Sequence, residues 1–349
     1  MKRPRLSAPI GILDEHPQWS NRLMAELESR RLPFEKIDHS NHGFDPSDRP
    51  PRYSVIVNRT SPSSHTRGHA GVLFYAEALL NHYESLGIPV INPAAAYRFE
   101  KSKALQLDLF ERLGVRYPRA VVVNHPDQAL KALDRLRFPL LVKPNVGGSG
   151  AGIARFDSRA ELEAAIGRVD FGPDHTALLQ EYIESEGGAI VRVEVMDGRF
   201  LYAIRLVRQP QSGYNLCPAD VCQLPGPLAP ASAPDLSSCP ADVVTRLGLT
   251  VTRVDPPQEA IDAALRLTRA ASIDIGGVEY LVGRGDGRIY FYDINATSNF
   301  VANAPAVLGW DPFPPFVDYI VRVATGGKRR VVAGECQVRR REGWKTQTP

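Results

Sequence analysis

A glycine-rich turn preceded by a lysine is the first group of residues that could do chemistry. Residues Leu141–Gly152 read Leu-Val-Lys-Pro-Asn-Val-Gly-Gly-Ser-Gly-Ala-Gly, so Lys143 ends a short apolar run before the glycines. Successive glycines let the backbone curl its N–H groups around an anion, and the lysine adds a fixed positive charge. The segment lacks the Gly-Lys-Ser/Thr end of a P-loop and the third glycine of a dinucleotide-binding fingerprint. We favour phosphate binding; a flexible linker is the alternative.

A second group combines two carboxylates with an amide. Strand alternation places Asp293 and Asn295 on one face, about 7 Å apart, with Tyr292 and Ile294 on the other. If the preceding β segment pairs with this strand through a glycine-containing turn, Glu279 lies across from Asp293. Two carboxylates and an amide oxygen suit Mg²⁺ that carries nucleotide phosphates. The alternative is a polar strand face open to solvent.

Further charged positions lie between and beside these two groups. Gln180–Glu184 is a strand that ends in acids, and Arg192 and Arg205 are separate cations on the hairpin that follows. By themselves these positions are typical of a protein surface. Arg59 follows a short apolar strand near the N-terminus. In parallel α/β sheets, ligands bind beyond the carboxyl ends of the strands, which is where Arg59 lies.

The elements that would position these residues fall into two parts. The first ninety residues alternate apolar strands with helical patterns, which predicts a small parallel α/β domain. The predicted strands are 10–13, 53–58 and 88–92, and the predicted helices are 19–30 and 71–86.

The rest of the chain predicts an α+β part with antiparallel pieces. Its predicted helices are 97–113, 127–136 and 259–271, and its predicted strands are 120–123, 139–143, 177–183, 190–196, 200–207, 278–282 and 288–294. A turn at Asp197-Gly198 would join the hairpin. Residues 209–257 contain nine prolines and little periodicity, which predicts a long irregular insert. Residues 326–349 predict a basic, mobile tail.

Composition excludes several classes of protein. Lys and Arg number 42 and Asp and Glu 39, so the net charge of +3 is too balanced for a protein that coats nucleic acid. Four scattered cysteines fit neither a disulfide scaffold nor a zinc site, and we expect free thiols. No run approaches the length of a membrane span or a signal-peptide core. We therefore expect a cytoplasmic protein without nucleic-acid or membrane partners.

Taken together, the ordered motifs from Lys103 to Asn295 resemble the ATP-grasp superfamily, and within it the RimK-like and glutathione-synthetase-like carboxylate–amine ligases. The resemblance covers roughly residues 88–325. It implies an ATP-grasp fold preceded by the parallel α/β domain, a pre-ATP-grasp domain. Its parts would be an N-terminal substrate domain over 1–95, a small lid domain over 96–178, a C-terminal metal and nucleotide domain over 179–325 that includes the 209–257 insert, and the tail over 326–349.

The resemblance also implies roles for individual residues. Lys103 and Lys143 would hold the ATP phosphates, with Gly147–Gly152 as a mobile flap over them. Arg205, with Arg192 as a second such residue, would face the transferred phosphoryl group. Arg59 would grip the carboxylate substrate, because a guanidinium binds carboxylates in a bidentate manner; His65, Arg67 and His69 could face the same cleft or be ordinary polar loop residues. The implied nucleotide-binding residues also include Gly148, Ser149, Gly150, Glu181, Tyr182, Ile183 through its backbone, and Glu184 at the ribose. The implied metal ligands are Glu279, Asp293 and Asn295.

The expected activity is ATP-dependent amide or peptide bond formation through an acyl phosphate, with ATP and Mg²⁺ as cofactors and Mn²⁺ as an alternative metal. The expected partners are a small carboxylate and a small amine, such as an amino acid or a small peptide; a homo-oligomer remains open. A ligase for a ribosomally made precursor and a non-catalytic ATP-binding protein are the alternatives. The chain departs from the family pattern at Asp293, where Glu is usual, at Ser102, where Asp is frequent, and at Ile190, where an acid is common.

Overall fold

The computed structural model describes residues 6–47, 52–148, 150–208, 218 and 249–330, which form three sheets. The first sheet is parallel, in the order β2-β1-β3-β4. Its strands are β1 (Ile10–Leu13), β2 (Phe34–Ile37), β3 (Val55–Asn58) and β4 (Val90–Ile91), and its helices are α1 (Asn21–Ser29) and α2 (Val72–Ser85). Parallel strands buried on both faces read as continuous apolar runs, as β1 and β3 do. The sequence missed β2, because this partly exposed edge strand carries Glu35 and Lys36.

The second sheet is antiparallel, in the order β5-β8-β6-β7. Its strands are β5 (Ala120–Val123), β6 (Leu140–Pro144), β7 (Ala154–Phe156) and β8 (Ala177–Glu181). The helices before and within this part are α3 (Ala94–Glu100), α4 (Lys103–Arg112), α5 (Pro126–Ala132) and α6 (Arg159–Ala165). Strand β6 runs directly into the glycine-rich turn, so the sheet supports the turn.

The prediction of one helix over 97–113 is wrong. The helix is broken at Ser102, whose backbone is extended and whose hydroxyl accepts a hydrogen bond from the Leu105 N–H. The side-chain oxygen of Asn145 accepts from the Ala104 N–H at 2.8 Å, which caps the new helix a second time. Serine is a preferred N-cap residue, so this break places Lys103 at the first turn of α4.

The third sheet is antiparallel, in the order β11-β10-β9-β12-β13. Its strands are β9 (Ala189–Met196), β10 (Arg199–Arg208), β11 (Leu249–Arg253), β12 (Ile275–Val282) and β13 (Ile289–Asn295), and its helices are α7 (Gln258–Ala270), α8 (Ala304–Leu308) and α9 (Phe313–Ala324). The predicted hairpin turn is confirmed, because Asp197 and Gly198 both have positive φ, as a two-residue turn of this kind requires.

Two predicted irregular segments are partly ordered. Residues 249–253 of the expected insert form β11 on the edge of β10, so the insert prediction is wrong at that end; residues 209–217 and 219–248 lie outside the described residues. The expected mobile tail is wrong for 326–330. Arg329 forms a hydrogen bond at 3.0 Å and an ion pair with Asp274, which is fully buried, because an interior carboxylate needs a compensating cation. Residues 331–349 lie outside the described part.

A common apolar core joins the first and third sheets. Ile10 and Val57 of the first sheet belong to the same cluster as Ile204, Ile275 and Phe316. Separate clusters lie under the second sheet and on the opposite face of the third.

The predicted domain boundaries at residues 95 and 178 remain predictions. Among the described residues, no helix combines the length and apolar character that crossing a membrane needs.

Candidate nucleotide and metal site

One cavity is lined by residues of the second and third sheets and by residues of the connections that leave the first sheet. Eight of the residues singled out from the sequence line it: Lys103, Lys143, Gly148, Gly150, Arg192, Glu279, Asp293 and Asn295. These residues lie in five separate stretches of the chain, so it is the fold that brings them together. Ser149 lies outside the described residues.

The two lysines approach the cavity from different elements. Lys103, at the start of α4, donates to the Gly147 carbonyl at 3.1 Å, and its Nζ lies 3.9 Å from Oδ1 of Asp293. Lys143, on β6, is 4% exposed and donates to the side-chain oxygen of Gln180 at 3.3 Å. Burial, aided by the positive charge of Lys103 and opposed by Asp293 and Glu279, lowers the pKa of Lys143 to about 8. Two neighbouring lysines on one cavity suit a polyanion such as a triphosphate.

The two carboxylates face each other across the β12–β13 ladder, as predicted. Glu279 pairs with Asp293, and Gly277 pairs with Asn295. Tyr292 was predicted to point to the other face, and this prediction is wrong. A β-bulge inserts Tyr292 as an extra residue opposite Glu279 and Tyr280, and bulges re-aim side chains. Its hydroxyl therefore reaches Glu279 Oε2 at 2.9 Å, and its ring lies 5.5 Å from Lys143 Nζ.

The chemistry of the donor set fits a hard cation such as Mg²⁺. Glu279 is buried, and both desolvation and the charge of Asp293 raise its pKa, so a cation here would relieve an unfavourable concentration of negative charge. No group of three or more His, Cys, Asp and Glu side chains suited to a metal occurs among the described residues. The set is two carboxylates and one amide oxygen, which is ordinary for Mg²⁺ that takes its other ligands from phosphates and water.

Arg192 is locked beside this donor set. It is 6% exposed, and its guanidinium donates to Glu194 at 2.6 Å and to Glu279 at 3.0 Å. Despite the desolvation, the two carboxylates raise the pKa of Arg192 above its ordinary value, so this residue is a permanent cation at the cavity wall. A Cβ atom built at Gly277 would lie 2.5 Å from Cζ of Arg192, so the guanidinium needs a glycine there.

Arg205 does not line the cavity. In the β9–β10 ladder Ile204 is opposite Arg192, whereas Arg205 is opposite Val191. Since cross-strand partners share a face and neighbours along a strand alternate, Arg205 lies on the face opposite to Arg192. Its Nη2 lies 3.0 Å from where a Cβ atom of Gly187 would be. The sequence predicts that side chains alternate along β10, but it does not show which residue of β9 pairs with Arg205. The face on which Arg205 lies could therefore not be predicted.

The predicted adenine-binding segment lies beside the cavity without lining it. The Glu181 carboxylate accepts from the Arg137 N–H at 3.0 Å, and the Tyr182 ring packs 4.4 Å from the Arg155 guanidinium. Two further members complete the segment. Ile183 lies against Gly283, and Glu184 forms an exposed ion pair with Arg284 at 2.6 Å. Their roles toward a nucleotide remain predictions.

Arg59 is also kept out of the cavity. It is 2% exposed, and its guanidinium donates to the Ser298 carbonyl at 2.8 Å and to the side-chain oxygen of Asn299. Ser298 and Asn299 do line the cavity, so Arg59 connects the first sheet to the cavity wall. The segment that follows β3 contains His65, Arg67 and His69. Two of them, Arg67 and His69, contact the buried carboxylate of Glu15.

Several lining residues were missed from the sequence. They are Trp19, Ser61, Pro62, Glu100, Tyr292, Thr297, Ser298, Asn299 and Phe300. The polar run Thr297–Asn299 begins two residues after the end of β13, and polar residues just beyond a strand end were a usable signal. Trp19 and Ser61 lie in the loops that follow β1 and β3. The Trp19 Nε1 atom is buried and has no hydrogen-bond partner among the described residues, which leaves a donor at this end of the cavity.

Comparison with known proteins finds similarity to ATP-grasp proteins. Residues 100–215 match the family model of the RimK-like ATP-grasp domain. A probable alpha-L-glutamate ligase of Marinomonas sp. (strain MWYL1) is 28% identical over 156 residues, 44% of this chain and 49% of the relative. One of Aliivibrio fischeri (strain MJ11) is 25% identical over 212 residues, 56% of this chain and 66% of the relative. The chain thus spans about half to two thirds of the length of these curated relatives.

Solved structures share the fold over most of the chain. The ATP-grasp ligase PsnB, complexed with a phosphomimetic variant of its minimal precursor, Mg and ADP, is 17% identical with a TM-score of 0.62, over 92% of this chain and 100% of that one. D-alanine–D-alanine ligase of Bacillus anthracis is 18% identical with a TM-score of 0.62, over 91% of this chain and 97% of that one. The chain therefore has the ATP-grasp fold. Residues 100–215 are similar to the RimK-like ATP-grasp domain.

Proposed function

We propose that the protein is an ATP-dependent carboxylate–amine ligase that uses Mg²⁺ and forms an amide bond through an acyl phosphate. The observation that carries this proposal is the convergence of Lys103 and Lys143 with Glu279, Asp293 and Asn295 on one cavity. Phosphoryl transfer needs alignment and positive charge more than it needs a protein nucleophile. The cavity offers both.

Each group would have a separate task. Lys103 and Lys143 would bind the phosphates, and the turn at Gly147–Gly150 would cover them with backbone N–H groups. Glu279, Asp293 and Asn295 would hold Mg²⁺, which offsets charge on the phosphates when it is bound. Arg192, fixed at the cavity wall, would stabilise negative charge that develops on the reacting carboxylate and phosphoryl group.

The adenine would bind along Glu181–Glu184, beside the cavity, with the backbone of Ile183 as its contact. The carboxylate and amine would bind at the other end, near Trp19, Ser61 and Asn299. An amino acid or a small peptide fits the polar groups there and the names of the curated relatives, probable alpha-L-glutamate ligases. Arg59 would act on these substrates indirectly, because its guanidinium holds the Ser298–Asn299 loop in place.

A ligase for a peptide precursor is the second candidate, favoured by the fold shared with PsnB, whose structure contains its precursor. A non-catalytic ATP-binding protein is disfavoured, because both lysines and all three oxygen donors are present and lie on one cavity.

The test is ADP release with ATP, Mg²⁺ and pooled amino acids, followed by mass spectrometry of the products. ADP release that depends on one acid and one amine, with a product heavier by the expected amide, supports the small-molecule ligase. Release only in the presence of peptides supports the second candidate. Tight ATP binding without turnover in either pool contradicts ligase activity. Lys143→Ala is the control that should abolish ADP release without unfolding the protein.

A further inference from the structure

A second groove lies on the small antiparallel sheet, away from the lysines and the oxygen donors. It lies between the edge strand β5 and helix α5 with the turn that follows it, and its volume is about 450 Å³. We name it the β5–α5 groove and define it by its lining residues: Val121, Val122, Val123, Asn124, Gln128, Lys131, Ala132, Arg135 and Thr176. Nothing in the proposed ligase reaction uses these residues.

One wall of the groove is an open sheet edge. Strand β5 pairs with β8 on one side, and no other strand among the described residues pairs with it on the other. Val122 is 41% exposed and is one of three large apolar residues so exposed in the described part of the chain. An apolar edge strand offers unpaired backbone N–H and C=O groups to another chain, and proteins usually cover or charge such edges.

The other wall is positively charged. Lys131 and Arg135 are exposed, and neither has an ion-pair partner among the described residues. The acidic residues nearest to them in the sequence have other neighbours: Asp127 lies 3.5 Å from His125, and Asp134 pairs with Arg159. No carboxylate lines the groove, so its charged residues are both cations. Unpaired cations that rim an apolar edge complement an acidic segment.

We propose that the β5–α5 groove binds an extended, acidic polypeptide segment of a partner protein, which adds to the sheet as a strand beside β5. Strand addition supplies main-chain hydrogen bonds, and the valines and cations select apolar and acidic side chains in alternation. Pairing between β5 strands of two copies would bring the Lys131 and Arg135 pairs of both copies together, which like charges oppose. The site is independent of ligase activity.

The test uses a fluorescein-labelled, capped peptide of about eight residues that alternates Val with Glu, a length that spans a typical strand. Fluorescence anisotropy at low salt should show saturable binding that weakens steeply with added salt. The matching Val–Lys peptide should bind at least about tenfold more weakly, because it meets like charge. The Val–Glu peptide methylated on alternate backbone nitrogens should lose a similar factor, because it cannot complete the ladder.

Protein variants locate the binding. Lys131→Glu with Arg135→Glu should weaken binding about tenfold or more, whereas Arg253→Glu, an exposed cation on the third sheet, should change it less than about twofold. Circular dichroism checks that the variants fold, and ADP release checks that the cavity is intact. Equal binding by the methylated peptide overturns strand addition, and unchanged binding by the double variant overturns the location. A dimer that sedimentation detects and the peptide dissociates would assign the groove to a second copy instead.

Discussion

The guanidinium of Arg192 occupies the space that a side chain at Gly277 would fill. These residues lie on neighbouring strands, β9 and β12, and the guanidinium extends from that space to Glu194 and Glu279. The glycine thus allows a buried cation to touch a predicted metal ligand from the side. The arrangement links a packing detail to the chemistry proposed for the cavity.

Gly277→Ala should therefore disturb both stability and catalysis. The added methyl group displaces Arg192 and breaks a buried ion pair, which costs about 3 kcal/mol. We expect that loss in the free energy of unfolding in urea, together with a fall of about 100-fold in ADP formation. Gly285→Ala is the matched control, because a Cβ atom there meets nothing within 4 Å. Equal effects of the two substitutions would contradict the account.

The two arginines of the hairpin should behave differently. Arg192→Lys keeps the buried charge but loses the fork that contacts both carboxylates, so kcat should fall at least about tenfold. Arg205→Lys should leave kcat within about twofold, because Arg205 lies on the opposite face of the sheet. Steady-state ADP formation measures both. A larger loss at Arg205 than at Arg192 would contradict the proposed role of the face that carries Arg192.

Nucleotide affinity should fall as pH rises through about 8. Burial lowers the pKa of Lys143 to about 8, so the cation that attracts phosphate is lost above that pH. The unfolded chain holds this proton up to about pH 10.4, so the free energy of unfolding should rise with pH over the same window. Titration calorimetry with AMPPNP from about pH 7 to about pH 9.5 measures the affinity. Lys143→Ala should bind more weakly and lose this pH dependence; a wild-type affinity that stays flat would contradict the assignment.

Arg329→Ala should destabilise the protein most at neutral and alkaline pH. It leaves the buried carboxylate of Asp274 without its cation, at a cost of about 3 kcal/mol. Burial raises the pKa of Asp274, and removal of Arg329 raises it further, so protonation at about pH 5 should reduce the loss. Urea unfolding at the two pH values measures it. Arg330→Ala, which removes an exposed side chain 3.8 Å from Asp197, should cost under about 0.5 kcal/mol.

The parts of the fold that follow from local pattern could be predicted from the sequence. Alternation and a glycine turn were enough to place Glu279 opposite Asp293, and the apolar run before the glycines was enough to place Lys143 at a strand end. The bulge at Tyr292 could not be predicted, because it depends on how two strands fit together. The capping of α4 by Asn145 likewise depends on a contact between residues about forty positions apart.

Two arginines show the same difference between what the local sequence predicts and what packing determines. Arg59 and Arg205 have the residue type that the proposed chemistry needs, yet packing directs both away from the cavity. The sequence offers the type of a side chain and its place on an element. The face of the sheet on which a side chain lies depends on the register between strands. Whether the side chain is free to bind a ligand depends on contacts such as that of Arg59 with Ser298.

A crystal structure with AMPPNP and Mg²⁺ tests the central claim most directly. We expect the triphosphate to contact Nζ of Lys103 and Lys143, and Mg²⁺ to lie among the side-chain oxygens of Glu279, Asp293 and Asn295. A nucleotide bound elsewhere, or a metal that none of these oxygens contacts, would contradict the account.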